Sequence, residues 1–383
     1  MVTPRVATIG VFFANGAAVG AWVAQIPFVK DRFELSKSTL GLILLTMSIG
    51  VIVAVPLMGQ VLVRIGSVKG TRIGATACIL VVAVLLLPPE PWLIPITLLL
   101  FGACSGAMDV SMNAHGVAIE RRYGRPIMSS LHAGWSFGGF AAAAAIGAAT
   151  ALGVDPRVQN AVLAVALLGL LAAVLPRLGA GSVQVDGGSK PIVPSRKVLL
   201  LAFLCFLIMV TEGGMGDWGG VYLREDLDAD AGLAALAFAA LAAGMTIGRV
   251  TGDRLNRRFG ATTLLQAGSA VAALALGAAL LIGAPGVALA GWLLVGIGVA
   301  NGVPLLFSAA GADDEEASGP AIAAVSAMGS IGFLVGPPFI GFLADATTLP
   351  IALVSLVAAN AIVAVLGRRA AARTASQPQP VAA

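Results

Sequence analysis

Five ionisable side chains interrupt stretches that are otherwise almost wholly apolar: Asp109, His115, His132, Glu212 and Asp217. A charge in the centre of a bilayer costs about 2.5–3.5 kcal/mol even on insertion scales, so such residues turn toward a polar interior and handle ions, protons or solutes. Glu212 falls about 14 residues into its apolar run, near mid-depth at a helical rise of about 1.5 Å per residue. A carboxyl group there either exchanges a proton with the two sides or stays protonated and hydrogen-bonded to a neighbouring helix. Asp109 and Asn113 are one helical turn apart and share a face. With His132, Trp135 and Ser136 beyond them, they form either a proton site or a structural cluster between two helices. Asp217 and Trp218 lie nearer the far end of their run. Trp218 is either an interfacial belt residue or a platform for a ring to stack on. His115, close to a boundary, reads as solvated. Asn15, Gln25 and Asn301 add neutral polar groups, and a few of these converging in an apolar cavity is what small-solute recognition requires.

Some chemistries have no residues to carry them. Cys78, Cys104 and Cys205 are isolated in apolar runs and fit neither a disulfide framework nor metal spacing. No Walker loop, dinucleotide fingerprint or metal cluster occurs. We therefore expect no catalytic residues, metal or cofactor, and any work is driven by a gradient rather than by bound ATP.

These side chains need a lipid-facing scaffold. Of 383 residues, 58% are hydrophobic and 11% charged, with a mean hydropathy of +0.96. A soluble protein is about a quarter charged, so this chain is expected to face lipid. Windows of about 19 residues give runs near 6–28, 39–63, 71–88, 92–117, 128–152 and 158–176, then 198–223, 231–252, 261–282, 286–310, 320–344 and 348–367. The first is too long for a signal segment. The expected organisation is a six-helix bundle over 1–176, a polar linker over 177–197, a second bundle over 198–367 and a disordered tail over 368–383.

With the N-terminus inside, 18 of the 23 Lys and Arg fall on the cytoplasmic side, the orientation the positive-inside rule selects. Arg249 is counted with that side, near a helix end. Both termini are thus expected in the cytoplasm of a bacterial cell, with the chain in its inner membrane. The net charge of +4 is spread over short loops, which argues against a nucleic-acid partner. The run Asp313 to Glu316 reads as a solvated loop or as a latch onto Arg254, Arg257 and Arg258.

The two halves superpose in sequence without gaps. An offset of 194 pairs Gly50 with Gly244, Arg64 with Arg258, Gly66 with Gly260, Gly102 with Gly296, Gly138 with Gly332 and Gly147 with Gly341. This is a parallel repeat about an axis along the membrane normal, the arrangement in which two bundles rock around a site near the midplane. The fold class is therefore all-α integral membrane: twelve transmembrane helices as two six-helix bundles related by a pseudo-two-fold. At the same offset Glu212 meets Ala18, Asp217 meets Val23 and Asp109 meets Val303. The scaffold requires none of these acids.

Over its full length the chain resembles the major facilitator superfamily. The motifs are Gly59 to Gly66, with Arg64, and Gly252-Asp253-Arg254-Leu-Asn256-Arg257-Arg258-Phe-Gly260. The resemblance implies cytoplasmic gating by Arg64, Gly66, Asp253, Arg258 and Gly260. Val63 stands where the family pattern has an Asp. The runs Gly106 to Asn113, Gly124-Arg125-Pro126, His132 to Ser136 and Glu212 to Trp218 are similar to a bacterial branch near the fucose-permease-like sugar transporters. That implies a monomeric proton-coupled symporter of a sugar-like or other polar metabolite, with spans one, four, seven and ten around the cavity. Glu212, Asp109 and Asp217 are then the proton-coupling candidates. Asn15, Gln25, Asn113, His132, Trp135, Trp218 and Asn301 are the substrate-binding candidates. The alternative is proton-coupled efflux of amphipathic compounds, which acids without a basic partner would suit. Gly332 to Pro338 resembles a drug-antiporter signature but lies in span eleven, where close helix packing explains it. A membrane sensor or enzyme is the remote third reading.

Overall fold

A computed structural model describes residues 3–124, 127–179, 195–311 and 318–371. Most of the expected linker, the tail from 372 and the Asp313 to Glu316 run lie outside the described residues. The helices are α1 Pro4–Ala24, α2 Ile26–Arg32, α3 Lys37–Ile65, α4 Ser67–Val84, α5 Ile94–Tyr123, α6 Met128–Ala151 and α7 Pro156–Val174. The second half comprises α8 Arg196–Glu225, α9 Ala231–Phe259, α10 Ala261–Ile282, α11 Pro285–Val299, α12 Gly302–Ala310, α13 Ser318–Ala346 and α14 Leu349–Ala371. Helix α14 continues past the expected start of the tail at Arg368.

Eleven stretches among the described residues are long and apolar enough to cross a membrane, with α1–α2 and α11–α12 each counting as one. Helix α6 is the twelfth by length, at 24 residues. Its glycines, serines and His132 dilute its hydropathy. The molecule is thus a multi-pass integral membrane protein, and Leu274, Leu281, Val165 and Val365 face outward as a lipid surface requires.

Local chemistry sets the helix ends. The side chains of Thr3, Ser36, Ser195 and Asp230 accept hydrogen bonds from backbone N–H groups three residues on, which satisfies donors the first turn leaves free. Between α3 and α4, Gly66 adopts φ 76°, ψ 158°; between α9 and α10, Gly260 adopts φ 81°, ψ 155°. A side chain at such a positive φ would be strained, so one tight turn is built twice from the same residue type.

Glycines also carry the repeat into packing. A Cβ on Gly50 would strike the carbonyl of Leu99, and one on Gly244 that of Leu293. A Cβ on Gly102 would strike the Met47 carbonyl, and one on Gly296 the Leu241 carbonyl. Each struck partner is again 194 residues from its counterpart. Removal of the side chain lets backbones touch where lipid gives no hydrophobic drive to association.

The halves meet along two seams, α6 on α9 and α3 on α13. Both are tight at the end that carries the α2–α3 turn. There Lys30 and Lys37 pair with Glu225, and Arg224 with Asp31. The Asp345 carboxylate accepts from the backbone N–H groups of Lys37 and Ser38, at 3.1 and 2.8 Å. Gly41 lies against Pro337 and Pro338, so the Gly-Pro run of α13 is a packing surface for α3. Toward the opposite end, Val53, Leu57, Val61 and Val63 of α3 and Met328 and Ile331 of α13 are exposed. The bundle is closed at one end and splayed at the other.

Candidate functional site

Helix α8 turns Glu212, Gly213, Gly216 and Asp217 onto a cavity between the halves, where α1 contributes Val19 and Val23, α6 Trp135 and Ser136, α9 Phe238 and Met245, and α13 Phe333. Its volume is about 50 Å³, room for a water or two. The site is contracted in this conformation.

The polar centre beside it is organised by Arg249. We expected this residue near a helix end, but α9 continues to Phe259, which places the guanidinium at the level of Glu212 and Trp135. It lies 4.0 Å from the Glu212 carboxylate, donates to Ser136 Oγ across the interface, and sits 5.9 Å from the centre of the Trp135 ring. Trp135 Nε1 donates to Asn15 Oδ1 at 2.8 Å, and Asn15 Nδ2 donates to Ser105 Oγ at 3.4 Å. A continuous polar chain thus runs from α8 through α9, α6 and α1 to α5. Glu212 therefore has a cationic partner, which removes the unpaired-acid argument for efflux. Asp217 makes no hydrogen bond or ion pair among the described residues.

Of the sequence candidates, Glu212, Asp217, Trp135 and Asn15 are brought together, and Ser136 joins them. Asn301 sits in the break between α11 and α12 and donates to the carbonyl of Gly248 at 2.9 Å, bracing the backbone next to Arg249. Asp109 accepts from Asn113 on its own helix. It is exposed, midway along α5. His132 bonds the Met128 carbonyl and packs edge-on against Phe12, so Asp109 and His132 do not share a hydrogen bond.

Three residues sit elsewhere. Gln25 is buried at the α1–α2 joint and donates to Pro156 and Gln159, which ties that joint to α7. Trp218 is fully buried and faces Gly341 of α13; it is neither at the lipid interface nor on the cavity. His115, expected to be solvated, is fully buried and bonds the Leu178 carbonyl. At the splayed end Arg64 is exposed, Arg258 lies over the Phe259 ring at 5.1 Å, and the Asp253 side chain lies outside the described residues.

Sequence reasoning missed Arg249 and Ser105. The clue to Arg249 was available: helical periodicity runs on to the turn at Gly260, about ten residues or 15 Å beyond it. Ser105 carried no signal among the many serines of the chain.

Comparison with known proteins agrees with this architecture. The Major Facilitator Superfamily sequence model matches residues 7–314. An uncharacterised MFS-type transporter of Yersinia pestis is 34% identical over 351 residues, spanning 92% of this chain and 91% of that protein. The membrane protein MosC of Rhizobium meliloti is 31% identical, over 96% and 90%. Among solved structures, a bacterial homologue of the human lysosomal transporter Spinster, inward-facing and unoccupied, aligns with TM-score 0.76 at 14% identity, covering 99% of this chain and 98% of that one. The nucleoside transporter NupG, as a variant, aligns at 0.78 and 12% over 96% and 100%. By the family match and these relatives, this chain is a transporter, not an enzyme, and belongs to the Major Facilitator Superfamily.

Proposed function

We propose that this transporter works by alternating access as a proton-coupled symporter of a small polar, sugar-like metabolite. The moving parts are the bundles over residues 1–176 and 198–367. The observation that carries the reading is the Glu212–Arg249 pair at the junction of the halves. Both residues belong to the second bundle, and Arg249 also reaches Ser136 of the first; a carboxylate that takes up a proton releases this cation, and that changes the balance between two conformations. Asp217 on the cavity and the exposed Asp109 of α5 provide further acids. The charge bias of the loops supports an orientation with both termini on the cytoplasmic side of a bacterial inner membrane. The splayed end then faces inward and the closed end outward. A monomer suffices, because the site lies within one chain.

A second reading, efflux of amphipathic compounds, is favoured by the apolar faces of Phe238, Leu241, Met245 and Phe333 on the cavity. The two readings separate in proteoliposomes. Symport predicts that an inward-directed proton gradient drives solute accumulation, that Glu212→Gln abolishes it, and that counterflow exchange survives. If accumulation is unchanged in both Glu212→Gln and Asp109→Asn, the assigned proton carriers are wrong.

A further inference from the structure

We propose that the transported solute is an organic anion whose carboxylate takes over Arg249 as Glu212 gains its proton. This rests on the symport reading above and names the substrate class of the same site. An arginine keeps its charge under any physiological condition and presents five donors in a planar fork. Arg249 commits one described hydrogen bond, to Ser136 Oγ. Its approach to Glu212, at 4.0 Å, is longer than the roughly 2.7–2.9 Å of a charge-assisted hydrogen bond. The rest of the fork has no hydrogen-bond partner among the described residues, and the guanidinium lies beside Glu212, Ser136 and Trp135, which border the cavity. A neutral sugar does not need such a group, whereas a carboxylate matches it with two parallel bonds.

Charge conservation supplies the coupling. Among the described residues the other packed elements offer Arg249 no alternative counter-ion: α1 contributes Val19 and Val23 to the cavity, α13 contributes Phe333, and the titratable group nearby on α6 is a base, His132. Asp217 adjoins with no cationic partner among the described residues, and burial without a counter-ion keeps it protonated and neutral in every count. In the empty carrier Arg249 is balanced by ionised Glu212. With Glu212 protonated and no solute, a bare cation remains in the membrane core. With a solute anion and ionised Glu212, one cation faces two anions. Both half-loaded states carry an uncompensated charge, which the low-dielectric interior disfavours. Proton plus anion restores the balance of the empty carrier, so both move together and the centre crosses at constant charge. Trp135, Phe238 and Phe333 give the carbon skeleton of a hydroxylated acid flat faces to lie on.

The test uses the purified full chain and probes of matched shape: hexuronates and aldonates against the corresponding hexoses and alditols. Thermal unfolding should show saturable stabilisation by one or more acids and by none of their neutral counterparts. Glu212→Gln, a mimic of the protonated state, should bind that acid more tightly, on the order of tenfold for a coupling of this kind. Arg249→Gln should lose it. Arg249→Lys, which keeps the charge but not the fork, should retain a weakened response and shows that loss in Arg249→Gln is not misfolding. In proteoliposomes, uptake of the acid with a proton should be insensitive to membrane potential. Stabilisation of wild type and Arg249→Gln alike by a neutral hexose overturns the anion assignment while leaving proton-coupled transport intact. A panel in which no acid shifts wild type or Glu212→Gln overturns it too. Acid uptake indifferent to both a pH gradient and Glu212→Gln would instead sink the symport reading.

Discussion

The two seams that join the halves are copies of one another, yet they keep their polar groups at opposite places. Gly147 of α6 faces Leu236 and Gly232 of α9, while Gly341 of α13 faces Lys37 of α3. Shifted by 194, these are nearly the same contact. Ala151 against Gly232 corresponds to Asp345 against Ser38. On the α6–α9 seam the closed end is dry and small-residue packed, and the charge sits at mid-depth in Arg249. The α3–α13 seam is polar at the closed end, through Asp345, and apolar at the level of Val55, the counterpart of Arg249. The scaffold is symmetric, and the charges depart from that symmetry. One seam carries its charge beside the cavity, and the other carries it at the closed end.

The largest effect expected from breaking this division is at Arg249 and Glu212. Arg249→Met leaves Glu212 without its cationic partner beside the cavity. Gradient-driven uptake should fall to the level of protein-free liposomes. The counterpart change, Val55→Met, alters only an exposed apolar position and should leave uptake near wild type. Equal damage from both would mean that the mid-depth of the two seams is equivalent after all.

Next in size are the glycines that set the spacing. A side chain on Gly341 meets the Lys37 carbonyl at 2.5 Å and Trp218 at 3.1 Å, whereas one on Gly147 meets the Leu236 side chain at 2.7 Å. A leucine end can rotate away and a backbone carbonyl cannot, so Gly341→Ala should be the more disruptive. Overpacking of this kind costs about 1–3 kcal/mol. Spin labels at Glu34 and Thr347, both exposed, should report a widened α3–α13 distance in Gly341→Ala. Labels at Leu152 and Asp228 should report a smaller change for Gly147→Ala. The reverse order would show that the α6–α9 seam is the stiffer one.

Much of this symmetry was legible in the sequence because glycine is legible. Gly50, Gly66, Gly102 and their partners recur at a fixed offset, and each marks a place where backbone touches backbone or φ turns positive. The apolar runs gave the spans, since lipid enforces length and composition. Depth and direction were not legible. A hydropathy window ended the eighth span near Gly252 because charges follow, although α9 runs on, and Arg249 was misjudged as a result. Trp218 and Gln25 lie on spans that do line the site, but helix rotation turns them to Gly341 and to α7. His115 looked like a boundary residue until α5 extended to Tyr123 and buried it against Leu178. Acids are found easily by type, whereas which of them meets a cation depends on how neighbouring helices rotate and at what depth they pack, as with Glu212 of α8 and Arg249 of α9.

The smallest effects concern the fastening at the closed end, where the comparison can be made reciprocal. Asp345→Asn removes a negative charge from the N-terminus of α3, where the partial positive charge of the helix favours an anion and a carboxylate accepts two N–H groups. A cap of this kind contributes about 0.5–2 kcal/mol, so the population open at this end should rise severalfold, read from the Glu34–Thr347 label distance. Helix α9 offers the corresponding terminus, where the cap is already a carboxylate, Asp230 on Leu233, in place of the Ser36 hydroxyl on Thr39. Ala151→Asp would bring a second carboxylate toward the first turn of α9, beside Gly232, and should recover only part of the closure lost in Asp345→Asn. Full recovery in the double variant would make the two closed ends interchangeable. Further opening would show that the dry Ala151–Gly232 packing is itself required on that side, and that the seams differ in mechanism as well as in sequence.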